Sequence, residues 1–584
     1  MDTRNAFRLL PAPLLSRRRF LLTALAAAIA ACRSSATGPA TPGPSAHAGL
    51  SFPEGLERQR EPFENWAGEL RFPSVLSCAP RTAEEAEAVV NWAAVNGYAV
   101  RARGAMHNWS PLALSPDTSA ETRVILLDTI PHLRSLEMLA EPMPCVRAGT
   151  GVLMEDLLAF LEDHGHGFTA TPAVGAISLG GALAINGHGC AIPARNETAL
   201  PRQTYGSLSN RILALTAIVW SAERQRYALR RFDRRDADIG VLLTSLGRAL
   251  ITDVTLAVEP NQNLRCVSYI DITADEMFAA PGSGGRDMAS FLDSSGRLEV
   301  IWYAFTDKPW LKAWYVSPQQ PAGSRAVSSP YNYPFSDNLP KPVTDLAQQL
   351  VSGHPESAPL FGQTTYAVTA AGLLATASSD IWGPSKNTLL FIKPTTLRVH
   401  EFSYAVITRR DRAQQVIHDF VKTYQEKLAA YQASGRYPVN MPVEIRISGL
   451  DHAGDIGLAG AQESRLSALS PRPDHPDWDT AIWLAILTIP GTPDMHVFFR
   501  DIEQWLIGHY TGAESMARPE WSKGWANSTE AAWVDADIIS RGIPAALSAG
   551  RPASHGWQAS MATLAALDPA GIYQNDFLRR LTRG

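Results

Sequence analysis

The sequence predicts an α+β protein of at least two domains, and three observations support this. First, 584 residues are too many for one hydrophobic core. Second, helical and strand patterns alternate between about residues 82 and 260. Third, the chain changes character near residue 261, and 11 of its 15 tryptophans follow residue 300. We therefore expect a strand-rich first domain and a second domain with an aromatic core or an apolar cavity.

The composition is that of an ordinary globular protein. Hydrophobic residues make up 45% of the chain and charged residues 19%, so bulk disorder is not expected. The formal net charge of −5 is mild for this length, and no basic stripe is present. These features argue against nucleic acid as a partner.

Residues 1–48 are predicted to be a signal and a linker. The segment 16–21 (Ser-Arg-Arg-Arg-Phe-Leu) precedes an apolar run that ends at Ala31 and is too short to span a bilayer. It resembles a twin-arginine export signal. Cleavage before Cys32 would leave a lipid anchor on that cysteine, whereas cleavage after Ala48 would release a free chain. The protein is therefore expected to be periplasmic, secreted or lipid-anchored.

The other four cysteines are spaced too irregularly for a zinc site, and no metal site is predicted. Export would allow disulfides, but we expect buried free thiols at these four positions: Cys78, Cys145, Cys190 and Cys266.

Local patterns predict the elements in order. A helix begins at the capping box Thr82-Ala83-Glu84-Glu85, buries Ala86, Val89, Val90 and Ala93, and ends at Gly97. Up to residue 260, the remaining predictions are strands at 99–102, 124–127, 145–148, 212–220 and 250–258 and a helix at 154–161. Later strands are predicted at 298–305, 395–407 and 443–447. An amphipathic helix is predicted at 412–428, with its apolar face formed by Val416, Ile417, Phe420, Val421, Tyr424 and Leu428.

Two loops that contain glycines and a histidine carry the strongest functional signal. They are residues 101–109 (Arg-Ala-Arg-Gly-Ala-Met-His-Asn-Trp) and 177–189 (Ile-Ser-Leu-Gly-Gly-Ala-Leu-Ala-Ile-Asn-Gly-His-Gly). Glycine lacks a Cβ and tolerates positive φ, so such loops let the backbone approach a phosphate closely. One loop of this kind is more often an ordinary turn. Two at this separation, with a strand-turn-helix pattern between them, indicate a dinucleotide site.

Together the loops resemble the FAD-binding domain of the vanillyl-alcohol-oxidase or PCMH-type flavoproteins. The resemblance implies FAD as cofactor, a domain of two subdomains at residues 60–260, and a C-terminal return to it at 546–584. Backbone N–H groups of both loops would hold the pyrophosphate. The cofactor contacts that the resemblance implies are Arg103, Gly104, Ala105, Met106, His107, Asn108, Gly149, Ser178, Gly180, Gly181, Asn186, Gly187, His188 and Ile251.

In this family a histidine of the first loop often carries FAD covalently, and here that residue would be His107. The bond would raise the flavin potential and prevent loss of FAD outside the cell. Alternatively, His188 would be the group nearest the flavin, and Cys190 would form a second covalent link. The Gly-His-Gly-Cys turn at 187–190 does not match the pattern of bicovalent relatives.

A strictly alternating strand at 442–448 (Pro-Val-Glu-Ile-Arg-Ile-Ser) provides the first catalytic candidates. It places Val443, Ile445 and Ile447 on one face and Glu444, Arg446 and Ser448 on the other. Such a pair is usually a surface ion pair. Here, however, the Glu-x-Arg strand resembles the active-site gate of the type II, covalent-flavin cholesterol oxidases.

Two further carboxylates complete the predicted catalytic set of Glu444, Arg446, Glu299 and Glu520. Glu299 is a lone carboxylate in the apolar run 298–303, where burial would raise its pKa and suit it to acid–base chemistry; otherwise it faces water on an edge strand. Glu520 and Lys523 lie in the segment 519–525 (Pro-Glu-Trp-Ser-Lys-Gly-Trp), which resembles a cavity-lining segment of the same family.

The resemblance implies FAD-dependent oxidation of a bulky apolar secondary alcohol, foremost the 3-hydroxyl of a sterol. Oxygen would be the acceptor, giving H2O2, and the sterol double bond would be isomerised. Residues 261–545 would form the substrate-binding domain, an antiparallel sheet flanked by helices over an apolar pocket. Transient contact with a membrane surface would give access to sterol.

Two alternatives stay open. One is an oxidase or dehydrogenase of the same fold that acts on a sugar alcohol or an aldonolactone, and its site would need clustered polar groups. The other is an exported binding protein that has lost the cofactor, against which His107 and both glycine loops argue.

Overall fold

The structure, a computed structural model, describes residues 50–583 except Pro142, 334–339 and 391–396. The predicted signal and the two predicted cleavage positions lie outside the described residues, as do the first two residues of the strand predicted at 395–407. Among the described residues, no helix combines the length and apolar character needed to cross a membrane.

The part of the chain before residue 261 contains strands and three helices. The strands are β1 (Arg58–Glu64), β2 (Arg71–Cys78), β3 (Ala99–Arg103), β4 (Val124–Asp128), β5 (Leu136–Leu139), β6 (Cys145–Gly149), β7 (His166–Gly167), β8 (Ile212–Ser221), β9 (Arg226–Asp233), β10 (Leu250–Ala257) and β11 (Glu259–Pro260). The helices are α1 (Ala83–Asn96), α2 (Met154–Asp163) and α3 (Leu179–Ala184).

These strands form two larger sheets, in agreement with the predicted pair of subdomains. The first sheet has the order β1-β2-β4-β3, with β4 parallel to both β2 and β3. The second sheet is antiparallel and has the order β5-β6-β10-β8-β9. A short pair, β7 with β11, stands apart from both.

Helix α1 shows how directly the local sequence specifies this region. Thr82 caps the helix by accepting a hydrogen bond from the backbone N–H of Glu85, and Gly97 ends it in the left-handed region at φ 70°. The predicted apolar face is buried, and its four members contribute to one core cluster. The capping-box prediction is therefore confirmed at both ends of the helix.

The later part of the chain has its own set of elements. The strands are β12 (Asn263–Tyr269), β13 (Arg297–Trp302), β14 (Trp310–Val316), β15 (Arg325–Ala326), β16 (Asp380–Pro384), β17 (His400–Thr408), β18 (Val443–Gly449), β19 (Thr480–Thr488) and β20 (Ser515–Pro519). The helices are α4 (Ala274–Met277), α5 (Met288–Ser295), α6 (Lys341–Val351), α7 (Ala358–Ala375), α8 (Ser385–Leu389), α9 (Ala413–Ala433), α10 (Met495–His509), α11 (Ile543–Ser548), α12 (Trp557–Leu567) and α13 (Asp576–Thr582).

These strands form one large sheet, as the sequence predicts. Its order is β15-β16-β12-β14-β13-β18-β19-β17-β20, and every pair except β15 with β16 is antiparallel. One face packs on α9 and α10 in the main hydrophobic core, to which Val443, Ile445 and Ile447 belong. The opposite face of β18 therefore carries Glu444 and Arg446, as the alternation predicts.

Most predicted ends lie within two residues of the observed ones, but three elements differ by more. The strand predicted at 395–407 begins only at His400 as β17, and its described residues 397–399 are not strand. Strand β13 ends at Trp302 rather than Phe305, because the chain turns there: the N–H of Thr306 donates to Tyr303 O, and Phe305 has a φ of 62°. Helix α9 continues five residues beyond Leu428, to Ala433. The four described cysteines are free, and only Cys190 is not fully buried, in agreement with the prediction of free thiols.

The C-terminal segment returns to the first sheet. The N–H of Val100 on β3 donates to Ile572 O at 2.7 Å. The guanidinium of Arg101 donates to the backbone oxygen of Tyr573, and Asn575 Nδ2 donates to Pro111 O at 2.8 Å. The end of the chain thereby holds the loop that follows β3.

Candidate active site

A cavity of about 140 Å³ follows the two glycine loops where β3 and the turn before α3 meet. It is lined by every residue of the first loop except Trp109 and by seven of the thirteen residues of the second loop. The predicted residues on this cavity are Arg103, Gly104, Ala105, Met106, His107, Asn108, Ser178, Gly180, Gly181 and Ile251.

The backbone of the first loop suits an anionic group. Among the described hydrogen bonds, none uses the backbone N–H of Gly104, Ala105 or Met106, although these residues line the cavity. Met106 adopts a φ of 59°, which turns the loop. Successive free N–H groups in such a turn form a receptor for phosphate oxygens.

Two glycines allow the loops to touch. A Cβ on Gly104 would lie 2.0 Å from Ser178 Oγ, and one on Gly180 would lie 2.7 Å from Thr150 Cβ. Neither separation is possible for real atoms without movement. Glycine is therefore required at both positions by the close packing that builds the cavity.

Gly149, which is predicted to contact the cofactor, packs closely against a neighbouring turn. It lines neither of the two cavities described here, and its Cβ would lie 2.3 Å from Leu133 O. The cavity wall is formed instead by the next residue, Thr150. Gly149 thus serves the packing of β6 against a neighbouring turn.

A second cavity of about 280 Å³ lies between the loops and the large sheet. His107, Ile177, Ala182 and Ile185 line both cavities, so the two spaces meet at His107. The remaining predicted site residues all lie on this second cavity: Asn186, Gly187, His188, Glu299, Glu444, Arg446 and Glu520, together with Lys523.

His107 is held by aromatic and cationic neighbours. Its ring lies against Trp66, with ring centroids 3.8 Å apart, and Trp109 is perpendicular to it at 5.7 Å. Burial, together with the charges of Lys523 and Arg398, lowers the pKa of His107 to about 3. The imidazole is therefore neutral at physiological pH, with a nitrogen lone pair free to form a bond.

The sheet register aligns charged side chains on the cavity face. Glu299 on β13 is opposite Lys312 on β14 and opposite Arg446 on β18. Glu299 and Lys312 form an ion pair and are 5% and 0% exposed. The expectation of a lone carboxylate at Glu299 is thus wrong, because the cation that balances it comes from the neighbouring strand.

Arg446 lies at the centre of three carboxylates. Its Nη2 is 3.4 Å from Glu401 Oε1, 3.6 Å from Glu520 Oε2 and 4.0 Å from Glu444 Oε2. Although burial opposes it, the charges of these carboxylates raise the pKa of Arg446 above its usual range. Arg446 therefore stays charged and holds the group together.

Glu520 and Glu401 have further partners of their own. Ser403 Oγ donates to Glu520 Oε2 at 2.6 Å, and Lys523 forms an ion pair with Glu401. Burial alone would raise the pKa of Glu520, but the charge of Arg446, the hydrogen bond from His188 and the charge of Lys523 hold it well below its usual range. Glu520 is therefore a fixed anion.

The charged cluster has one more acid than bases. We define it as four carboxylates, Glu299, Glu401, Glu444 and Glu520, and three cations, Lys312, Arg446 and Lys523. Glu444 has the most distant cation of the four carboxylates. Burial, with the nearby charges of Glu401 and Glu299, raises its pKa to about 7 against the opposing charge of Arg446. Glu444 is thus the member that can exchange a proton near neutral pH.

His188 occupies the second cavity rather than the junction. Its ring stacks on Trp483 with centroids 3.7 Å apart, and its Nε2 is 3.5 Å from Glu520 Oε1. It is 8% exposed. These contacts place His188 beside the charged cluster, whereas His107 stands where the two cavities join.

Comparisons with known proteins agree with this geometry. A family profile described as "Cholesterol oxidase, substrate-binding" matches residues 263–583, which is more than half of the chain. The chain belongs to the cholesterol oxidase family. A second profile, described as "FAD binding domain", matches residues 76–223. As a cholesterol oxidase family member, the protein is an FAD-dependent oxidoreductase.

Solved structures of cholesterol oxidases superpose on nearly the whole chain. A solvent-stable cholesterol oxidase is 50% identical over 92% of this chain and all of its own, with a TM-score of 0.90. The Brevibacterium sterolicum enzyme is 43% identical, and a histidine-to-alanine mutant of it is 42% identical; each aligns over 93% of this chain and all of its own, with TM-scores of 0.89. No curated protein matched.

In this cholesterol oxidase family member, sequence analysis missed several members of the site. Lys312, Glu401, Ser403 and Trp483 all contact predicted site residues, yet none was singled out. One available signal was alternation. Glu401 and Ser403 lie on one face of β17 and alternate with the core residues Phe402 and Tyr404 on the other face. Another available signal was Lys312, the only charged residue between Trp310 and Trp314.

The tryptophans of the second half mostly fill the core instead of the cavity. Of the eleven that follow residue 300, only Trp310 lines the second cavity. Its apolar surface comes chiefly from Ile301, Val343, Phe361, Val368, Leu397 and Leu487. The expectation of an apolar cavity is confirmed, but aliphatic residues provide most of its wall.

Proposed function

We propose that the protein oxidises the 3-hydroxyl of cholesterol or a related sterol, with O2 as the electron acceptor, and isomerises the ring double bond to the 4-en-3-one. The observation that supports this most strongly is the junction at His107. There a cavity with a phosphate-binding loop meets an apolar cavity that ends in a buried, protonatable cluster.

The chain itself supplies binding, orientation and proton transfer. The free N–H groups and glycines of the loops fit the pyrophosphate of FAD, which supplies the electron acceptor when bound in the first cavity. Aliphatic walls of the second cavity enclose the sterol rings and exclude water. Glu444 accepts the hydroxyl proton, and Arg446 stabilises the negative charge that develops on the substrate oxygen.

The hydroxyl proton leaves Glu444 when O2 is reduced, because H2O2 formation takes up one proton besides the hydride equivalent. The carboxyl group, ionised again, then accounts for the isomerisation. A group with a pKa of about 7 can take a proton from one carbon and return it to another without a large free-energy difference between its two states. Glu299, Glu401 and Glu520 each have a closer cation, and their contacts keep Glu444 and Arg446 in place.

The function is tested by the visible absorbance of the purified protein under anaerobic conditions, before and after cholesterol is added in detergent. We expect the flavin band to bleach and to return when air is admitted. The Glu444→Gln variant should bleach about 10²–10⁴-fold more slowly, because the base is lost while the shape of the side chain is nearly kept. A near-normal rate in this variant would exclude Glu444 as the base.

The alternative substrate class is tested in the same experiment. If the wild-type protein stays yellow with sterol but bleaches with a sugar alcohol or an aldonolactone, the sterol assignment is wrong. The wall of the second cavity favours sterol, because all its carboxylates, lysines and arginines belong to the charged cluster and the remaining lining is mainly apolar, with only scattered polar groups such as the hydroxyls of Thr365 and Thr369.

The covalent attachment of FAD to His107 is part of the proposal. It is supported by the neutral imidazole at the junction of the cavities. Acid-denatured wild-type protein should retain its flavin in the pellet, whereas His107→Ala should release it to the supernatant. The matched control His188→Ala, which alters the other candidate histidine, should keep the flavin in the pellet. Release of all flavin from the wild type would contradict the attachment.

Export by the twin-arginine pathway, with a lipid on Cys32, is proposed from the N-terminal sequence alone. Mass spectrometry of the mature N-terminus distinguishes cleavage before Cys32 from cleavage after Ala48. A diacylglyceryl mass on Cys32 supports the anchor, whereas an unmodified N-terminus at residue 49 supports free secretion.

A further inference from the structure

Helix α7 is uncharged over all 18 of its residues. Its inner side lines the second cavity through Phe361, Thr365 and Val368. Its outer side faces solvent, and Leu360 and Leu374 are 56% and 74% exposed. An amphipathic surface helix normally carries charged residues opposite its buried face, so the lack of any charge on the outer side requires an explanation.

Exposed apolar side chains gather around this helix. Among the described residues, seven large hydrophobic side chains are exposed, and four of them belong to this region: Leu360, Leu374, Val351 at the end of α6, and Leu397. Between Leu360 and Leu374, the outer side of α7 is completed by Gln363, Ala367 and Ala371, which are also exposed. We call Val351, Leu360, Ala367, Ala371 and Leu374 the α7 face.

The wall of the second cavity includes residues that are exposed on the protein surface or lie on the helix that carries the α7 face. Leu397 lines this cavity and is 37% exposed. The cavity wall formed by α7 and the exposed α7 face are two sides of one helix. Only the thickness of this helix therefore separates the α7 face from the cavity.

We propose that the α7 face docks the protein on the surface of a lipid bilayer, so that sterol passes from the bilayer into the second cavity. This rests on the proposed function, since a sterol substrate dissolves in membranes rather than in water. An uncharged helix face fits the boundary between headgroups and acyl chains, where a helix lies in the plane of the membrane. The helix is not of the spanning kind.

The size of the surface favours a bilayer over a second copy of this chain. A helix of 18 residues is about 27 Å long and about 10 Å wide, which gives a face of about 270 Å². A stable protein–protein interface buries about 800 Å² on each partner. A bilayer needs no such area, because a few inserted apolar side chains suffice for reversible binding.

The test compares two ways of presenting cholesterol to the double variant Leu360→Asp/Leu374→Asp. All proteins carry Cys32→Ser, so that no lipid anchor contributes. With cholesterol in phosphatidylcholine vesicles, we expect oxidation to slow by about ten-fold or more, since each buried leucine side chain contributes that order of binding. With cholesterol in detergent micelles or cyclodextrin, the rate should equal that of the parent protein.

A matched control places the same charge on an exposed apolar residue elsewhere. Val95 on α1 is 60% exposed, and Val95→Asp should leave both rates unchanged. Equal vesicle rates for the double variant and the parent overturn the proposal. If the parent is a dimer, the double variant a monomer and the vesicle rate unchanged, a second copy covers the face and the proposal is also overturned.

Vesicle flotation separates this inference from the proposed function. If the parent oxidises no sterol in any form, the proposed function fails. Flotation of the parent with phosphatidylcholine vesicles, and its loss in the double variant, would still establish docking. Parent protein that oxidises micellar cholesterol but neither floats nor oxidises vesicle cholesterol would overturn the docking surface alone.

Discussion

At the scale of single residues, the charged cluster shows how the distance to a cation determines which carboxyl group can carry a proton. Glu520, Glu401 and Glu299 each have a close cation or a short hydrogen bond. Glu444 has only Arg446, at 4.0 Å, and it shares that cation with two other carboxylates. The carboxyl group that can carry a proton is therefore Glu444, the one farthest from a cation.

This assignment predicts the pH dependence of turnover. The base must be ionised to accept the hydroxyl proton, and burial raises the pKa of Glu444 to about 7. As pH falls below 7, the ionised fraction falls, so kcat should decrease and approach a ten-fold loss for each pH unit. Stopped-flow flavin reduction between pH 5 and 9 measures this.

The control for that profile is Glu444→Gln, whose small residual rate should lack the limb near pH 7. A wild-type rate that is independent of pH between 5 and 8 would contradict the role of Glu444. Because sterol solubility does not depend on protonation, the substrate itself adds no limb in this range.

At the scale of elements, the glycine loops are defined as much by contact with each other as by contact with a ligand. Gly180 in α3 packs against Thr150, which directly follows β6. A Cβ added to Gly180 would lie 2.7 Å from Thr150 Cβ and 3.1 Å from Thr150 O. The backbone oxygen cannot move aside as a flexible side chain can. The strand β6 and helix α3 must therefore separate if a methyl group is added.

We expect Gly180→Ala to lower the free energy of unfolding by about 1–3 kcal/mol and to reduce the flavin content of the purified protein. Gly454→Ala is the matched control, because no atom lies within 4 Å of its added Cβ. The ratio of flavin to protein absorbance and a thermal unfolding curve measure both effects. Equal flavin content in the two variants would contradict the role assigned to this contact.

The elements also show how far sequence analysis reaches. Alternation within one strand correctly placed Glu444 and Arg446 opposite Val443 and Ile445, and the capping box correctly began α1. Both depend on neighbours along the chain. The pairing of Glu299 with Lys312 depends on strand register, which local patterns do not specify, so the cation was missed.

The cofactor contact of Gly149 stays a prediction, for a related reason. A glycine after a strand is compatible both with a ligand and with a close approach of backbone, and only the structure locates Leu133 O beside it. The aromatic composition of the second half was equally ambiguous, since a tryptophan count does not separate core from cavity. Residue types in the sequence predicted the chemistry of the site, whereas the side chains that contact the predicted site residues could be identified only from the structure.

At the scale of the whole molecule, a segment near residue 100 and the C-terminal segment contact each other at the first cavity. Arg101 lines that cavity and donates hydrogen bonds to backbone oxygens of Leu112, Gly247 and Tyr573. Asn575 caps α13 and also donates to Pro111 O. Segments that are hundreds of residues apart in sequence therefore shape one binding site.

The Asn575→Ala substitution should lower the free energy of unfolding by about 1–3 kcal/mol, since it removes a helix cap and a buried hydrogen bond together. Its neighbour Asp576, whose side chain is 55% exposed, offers the control Asp576→Ala, which should change stability little. Denaturant unfolding followed by tryptophan fluorescence measures both. The same loss in the two variants would show that the effect comes from α13 alone.

The contact between Arg101 and Tyr573 has a consequence for biosynthesis. Because one of the backbone oxygens around this guanidinium belongs to Tyr573, the chain must be synthesised beyond residue 573 before the pocket can take its final form. We therefore expect flavin to be acquired only after Tyr573 has left the ribosome, and nascent chains stalled before Tyr573 to bind none. For a protein that is proposed to leave the cytoplasm already folded, that sets the order of events: synthesis first, cofactor second, departure last.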